Sequence, residues 1–218
     1  MYNNATAATT TDAAYNKTVK AYGVREDGTK VELKAGTGYY TVTVDSDKLE
    51  VADEATGVIS DKASGYTADD FKDNGKVVTK TVKVNVTFYD KETKAIVATV
   101  SKDLVLSSEA PKATTITLAD AVKAGKLGVE ATSAKAIDTD TLKAAIKEVK
   151  DQYGVAYATV PTISISKVTK VDGSSFAVVD NGKNSANITG ASKGDKFTAT
   201  FNYGAKSVDV EFTVTSIA

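Results

Sequence analysis

The sequence predicts a mainly β fold of two β-sandwich domains in tandem, the second carrying a helical insertion. Three observations predict it. Apolar and polar residues alternate through most of the 218 residues, turn-forming groups such as Asp27-Gly28 and Asn74-Gly75 punctuate the alternation, and a hairpin pattern centred on Phe88 recurs one domain length later at Phe201.

Residues 1–12, rich in small polar side chains, have no apolar period and read as a linker or the end of a preceding module. From Ala13 the period of two takes over. Tyr40, Val42 and Val44 share one face of an extended segment opposite Thr41 and Thr43, and Val82, Val84, Val86 and Phe88 oppose Lys83, Asn85, Thr87 and Tyr89. Such segments bury one face and wet the other, as antiparallel sheets do. Turns are expected at Glu26-Asp27-Gly28, Asp73-Asn74-Gly75 and Asp90-Lys91-Glu92-Thr93.

Pro111 lies in the polar stretch Ser107–Lys112, and proline both holds Ala110 extended and removes a ladder donor. The domain division is therefore expected here, giving sandwiches at 13–108 and 109–218. The second half opens with a strand at Thr114–Leu118. Leu142, Ala145, Ile146, Val149 and Tyr153 then recur at three to four residues, which predicts an amphipathic helix near 139–153, capped by Thr139 or Asp140 and closed by Gly154. A shorter helix is expected around Ala119–Ala124. Alternation returns at Ile163 and Ile165, at Phe197, Ala199, Phe201 and Tyr203, and at Val208, Val210, Phe212 and Val214, with a hairpin at Asn202–Lys206.

Composition restricts the chemistry. The chain has no His, Cys or Trp, and its formal net charge is -1 with Arg25 the sole arginine. Imidazole and thiolate devices, from Ser-His-Asp triads to ordinary zinc sites, cannot be built from it. Nucleic-acid binders favour a basic excess and arginine, so no nucleic-acid partner is expected. No run approaches the roughly 18 apolar residues of a membrane span, and the first 14 residues lack the pattern of a signal peptide. Four Asn-x-Ser/Thr sites, at Asn4, Asn16, Asn85 and Asn187, are expected by chance in so Thr-rich a chain.

The succession Tyr40–Asp47, Gly57–Ser60 and a closing Thr/Val strand pair resembles bacterial immunoglobulin-like domains, as does Asn187–Phe201. With the Ala/Thr/Val/Lys bias and the missing Cys and His, the chain is similar to the tandem modules of surface-layer (S-layer) proteins of Gram-positive bacteria. That resemblance implies two tandem Ig-like domains in a structural, non-enzymatic, self-assembling layer outside the cell. It implies partners that are copies of the chain and, through other domains, a cell-wall polymer. The alternative reading is an adhesin stalk or carbohydrate-binding surface module, which an exposed aromatic cluster would support.

No cofactor is required on this reading. The resemblance also raises calcium, for which Asp69, Asp70 and Asp73 are the candidate ligands, with Asp45, Asp47, Asp138 and Asp140 as further acidic groups. The first three do not follow an EF-hand loop, since Phe71 stands at its third position. Asp73-Asn74-Gly75 and Asp140 are equally accounted for as a turn and a helix cap. A carboxylate glycosidase would need two acids facing across an aromatic-lined cleft, and only 7% of the chain is aromatic. Tyr39, Tyr40, Phe88, Tyr89, Phe201 and Tyr203 are expected as core or sheet-face residues. Lysines such as Lys80 and Lys83 on strand faces would discourage unwanted edge pairing.

Overall fold

Alternating residues become strands wherever a second strand is available to pair with them. A computed structural model describes the chain except residues 2–12, Thr37, Ala63, Ser64, Ser175, Phe176 and Asn184, and from 177 to 187 it describes the backbone only. The expected linker therefore lies, beyond Met1, outside the described residues, together with Asn4 and the side chain of Asn187. Contacts group the chain into two units, Met1–Ala110 and Pro111–Ala218.

In the first unit the strands are β1 (Lys17–Thr18), β2 (Ala21–Val24), β3 (Lys30–Leu33), β4 (Tyr40–Val44), β5 (Leu49–Asp53), β6 (Val58–Asp61), β7 (Lys72–Asp73), β8 (Lys76–Val77), β9 (Lys80–Tyr89) and β10 (Ile96–Leu106). Two sheets, ordered β1-β6-β5 and β10-β9-β4, carry the unit, with β2-β3 and β7-β8 as separate hairpins. Leu49 and Ile59 from the first sheet meet Val82, Val84 and Leu106 from the second, with Phe71 and Met1 completing the core. Tyr40, Val86, Ala21 and Ala35 form a second cluster. The buried residues of β9 are Val82, Val84 and Val86, the face that alternation assigns inward. Asn74 and Gly75 both have positive φ, 50° and 77°, so the β7–β8 hairpin closes with the backbone hand that suits twisted strands.

The second unit contains β11 (Ala113–Leu118), β12 (Lys126–Ala131), β13 (Ile137–Asp138), β14 (Ile146–Asp151), β15 (Thr162–Thr169), β16 (Ala177–Lys183), β17 (Ser185–Thr189), β18 (Lys196–Tyr203) and β19 (Lys206–Ile217). A four-stranded sheet, β12-β19-β18-β15, is accompanied by β13-β17-β16 and by the pair β11-β14. All ladders are antiparallel except β12 with β19, which is parallel. Phe197, Phe201, Val210, Phe212 and Val214 pack with Ile137, Leu142, Ala145, Val149 and Ile188 into one core.

The helix expected near 139–153 is not formed. Thr139–Ala145 is a 3-10 turn, and Ile146–Asp151 is strand β14 paired with β11 from Ala113↔Asp151 to Leu118↔Ile146. Leu142 and Ala145 are three apart and share the buried side of the 3-10 turn, where residues i and i+3 eclipse. Their spacing reads as a helical period only because the next inward residue, Val149, follows at four. A helix through 146–151 would leave β11 without its ladder partner, so tertiary pairing overrides local propensity. The cap is Asp138, whose carboxylate accepts from Asp140 N at 2.9 Å, rather than Thr139 or Asp140. Gly154 instead sits in a turn held by Asp151, which accepts from Tyr153 N and Val155 N at 2.8 and 2.9 Å.

The short helix expected at Ala119–Ala124 is likewise replaced by turns. Lys123 and Lys126 bridge across Ala124 and Gly125, which have φ of 51° and 73°. Alanine is strained there because its Cβ crowds the carbonyl in the left-handed region. Ala124→Gly is therefore expected to stabilise the second unit by about 0.5–1 kcal/mol, read as a higher urea midpoint with unchanged slope.

Candidate functional site

The surface with the most regular chemistry is the outer face of the β4-β9-β10 sheet. Period two places Thr81, Lys83, Asn85 and Thr87 on that face of β9, and the register sets Asp103, Ser101 and Thr99 of β10 opposite the last three of them. The result is a ladder of closed polar rungs. Lys83 Nζ meets Asp103 Oδ1 at 2.6 Å, Ser101 Oγ donates to Asn85 Oδ1, and the Thr87 and Thr99 hydroxyls lie 3.3 Å apart. On the β4 side, Thr41 Oγ1 and Tyr89 OH are 3.3 Å apart. Beside these rungs the face carries the exposed Val105, opposite Thr81, and among the described residues its one ion pair, Lys83 with Asp103, is self-compensated. Each such exposed pair contributes modestly to stability.

The candidate metal ligands do not share a point. Asp70 spends its carboxylate locally: Oδ1 takes Lys48 Nζ at 2.6 Å, and Oδ2 accepts from Thr67 N and Thr67 Oγ1 at 2.7 and 2.9 Å. These bonds close a capping box over the 3-10 turn Ala68–Phe71 that buries Phe71. Asp69 pairs with Lys72 at 3.2 Å and is exposed, while Asp73 belongs to the β7–β8 hairpin. Among the described residues, no three acidic side chains are grouped to hold one ion.

The Lys48 ammonium, with the Thr67 donors, holds the Asp70 carboxyl down to about 2. Its folded pKa lies below the unfolded value, so this stabilisation is present above about pH 4 and is lost as pH falls through about 2. Asp70→Asn is expected to flatten the acid limb of the first unit's stability between those pH values, measured by urea unfolding across the range. An unchanged limb would exclude the Lys48–Asp70 contact as its cause.

A second constellation, absent from the sequence reading, lies in the other unit. Lys170 just beyond β15 and Asp195 just before β18 form a buried ion pair, Nζ to Oδ2 at 3.4 Å, with side chains 5% and 0% exposed. Asp195 also accepts from Val171 N at 2.9 Å and Ser192 N at 2.7 Å, and Lys170 donates to the Gly190 carbonyl. One carboxylate and one ammonium thus tie two loops together, the one after β15 and the one between β17 and β18. No local signal marks this pair, because its members are far apart in sequence and each stands among ordinary turn residues.

The aromatic residues are mainly structural. Tyr40, Phe201 and Tyr203 are buried and Tyr39, Phe88 and Tyr89 half-buried, as core and sheet-face roles require. Phe197 and Phe212 stack with centroids 5.4 Å apart. Among the described residues Tyr22 alone is an exposed aromatic, so they present no aromatic platform for a sugar ring.

These features define a two-unit, mainly β protein whose polar groups serve turns, caps and sheet faces. No family model matches the chain, and no curated protein matches it. Among solved structures, domains 4 and 5 of the S-layer protein SbsC are similar over 91% of this chain and 81% of that chain, at 20% identity and a TM-score of 0.31. A longer piece of SbsC, domains 1-6, is similar at 19% identity over 90% of this chain and 22% of that one, with a TM-score of 0.31. The endo-fucoidan hydrolase MfFcnA4 of glycoside hydrolase family 107 is similar at 14% identity over 83% of this chain and 24% of that chain, with a TM-score of 0.27. At TM-scores of 0.31 or below, none of these likenesses bears on function.

Proposed function

We propose that the protein is a structural, non-enzymatic component of a bacterial surface layer, built from Ig-like modules that assemble with copies of themselves outside the cell. The outer face of β4-β9-β10 carries this reading. Its Lys83–Asp103, Asn85–Ser101 and Thr87–Thr99 rungs are closed within the sheet, so they meet water without attracting a strongly charged ligand and offer a neutral, repeating pattern for contact between copies.

Strand pairing in the second unit supports the Ig-like description. The A, B, E and D positions are taken by β11, the path β13 to β14, β17 and β16, and the C, F and G positions by β15, β18 and β19. The interruption in strand B is the 3-10 turn at Thr139–Ala145. The absence of imidazole and thiol from the sequence supports a non-enzymatic role. Among the described residues, no helix is long and apolar enough to cross a membrane, a statement that leaves β-barrels aside. Anchoring to a cell-wall polymer would fall to other domains. Calcium, if it strengthens assembly, would act where carboxylates of neighbouring copies meet.

The test is assembly. The protein concentrated with and without calcium and viewed by negative-stain electron microscopy is expected to form ordered sheets or regular strings. Monomers throughout, at high concentration and with calcium, would overturn the proposal.

A further inference from the structure

Within the second unit, the first and last strands of the four-stranded sheet lie side by side. β12 and β19 pair in parallel from Lys126↔Glu211 to Ala131↔Ile217. The chain therefore enters this ladder at Lys126 and leaves it at Ile217, at opposite ends. Tension along the chain draws the two strands past each other, along their axes. Every ladder bond resists such sliding at once, whereas strands drawn apart from one end give up their bonds one at a time.

Both ends of the ladder are closed. At the entry Glu211 N donates to Gly125 O at 2.8 Å and Lys126 Nζ lies 3.4 Å from Glu211 Oε1, and at the exit Ala218 N donates to Ala131 O at 2.8 Å. Between them the register shifts after Val129, which makes Thr215 the extra residue of a bulge in β19. The Thr215 hydroxyl donates to Val129 O at 3.1 Å, and Ser216 Oγ donates to Glu130 Oε1 at 2.6 Å, so side chains bridge the strands where the ladder is irregular. Gly128 makes room for this, since a Cβ there would lie 2.8 Å from the Thr215 methyl. On its other side β19 is held by β18 from Lys196↔Thr213 to Tyr203↔Lys206, which ties the loaded strand into the sheet.

We propose that the β12–β19 ladder is a load-bearing clamp, which carries tension drawn through the second unit as shear. Strand β11 precedes it and is held by β14, so tension arriving from the Pro111 side loads β11 first and β12 next. The inference rests on strand pairing within the unit and stands whether or not copies of the chain form a layer.

The chain has no cysteine, so introduced pairs of cysteines give defined handles on the full protein. Ala121→Cys with Ala218→Cys pulls on opposite ends of the ladder, and Ala121→Cys with Ala205→Cys pulls on the same end, all three positions being exposed. Both pairs lie in the second unit, so the first unit bears no load. In single-molecule force spectroscopy at one pulling speed, the opposite-end pair is expected to rupture at about twice the force of the same-end pair or more, because forced unfolding reports the barrier along the direction of pull. Equal forces in the two geometries, or a weaker opposite-end geometry, would overturn the proposal.

Discussion

Replacing Lys170 with methionine is expected to destabilise the second unit by about 3–5 kcal/mol, the range for breaking one side of a buried ion pair. The ammonium pairs with Asp195, whose side chain is 0% exposed and left with backbone donors from Val171 and Ser192 once Lys170 is gone. The Gly190 carbonyl loses its charged donor at the same time. Asp195→Asn leaves Lys170 with the Gly190 carbonyl and, at 4.0 Å, the exposed Asp172 carboxylate, and is expected to cost less than Lys170→Met. The double variant Lys170→Met/Asp195→Asn removes both charges and is expected to cost less than the two single losses added together. Urea unfolding of the four proteins, followed by far-ultraviolet circular dichroism, measures the coupling. A loss below about 1 kcal/mol for Lys170→Met would mean that the pair behaves as a solvated surface contact.

Phe212→Ala is expected to cost about 3–5 kcal/mol in the same unit. Phe212 is 1% exposed, stacks on Phe197 at 5.4 Å and lies 6.5 Å from Phe201 across the β18–β19 hairpin. Removing the ring takes away the contacts of both neighbours and leaves a cavity that Ile137, Leu142 and Val149 cannot fill, because each is already held in the same core. Phe88→Ala, at the first-unit position that matches Phe201, is expected to cost less than Phe212→Ala because Phe88 is half-buried. Calorimetric unfolding of the two variants gives the comparison, and equal losses would contradict the difference in burial.

Much of the β structure was legible residue by residue. Val82, Val84 and Val86 face inward because a pleated strand alternates, and that rule acts over two residues with no knowledge of the partner. Turn chemistry was equally local. Asp27 accepts from Thr29 N at 2.8 Å, and Asp90 accepts from Thr93 N at 2.7 Å, each within its own turn. The candidate acids were legible as residues but not as a site. Asp70 proved to be committed to Lys48, 22 positions away, which no turn or cap rule connects to it.

The segment 139–151 shows where local reading stops. Its apolar spacing suits a helix, a 3-10 turn followed by a strand, or a bent strand, and only the presence of β11 along Ile146–Asp151 selects among them. The sequence by itself determined which residues turn inward, where the hairpins close and which chemistries the chain lacks, since these depend on side-chain type and on a period of two. Tertiary structure decided the ladder of Lys83 with Asp103, the burial of Lys170 against Asp195 and the placing of β10 at the end of the β10-β9-β4 sheet. Each depends on which distant strand or loop arrives alongside, and that choice is made by packing and backbone pairing across the unit rather than by neighbouring residues.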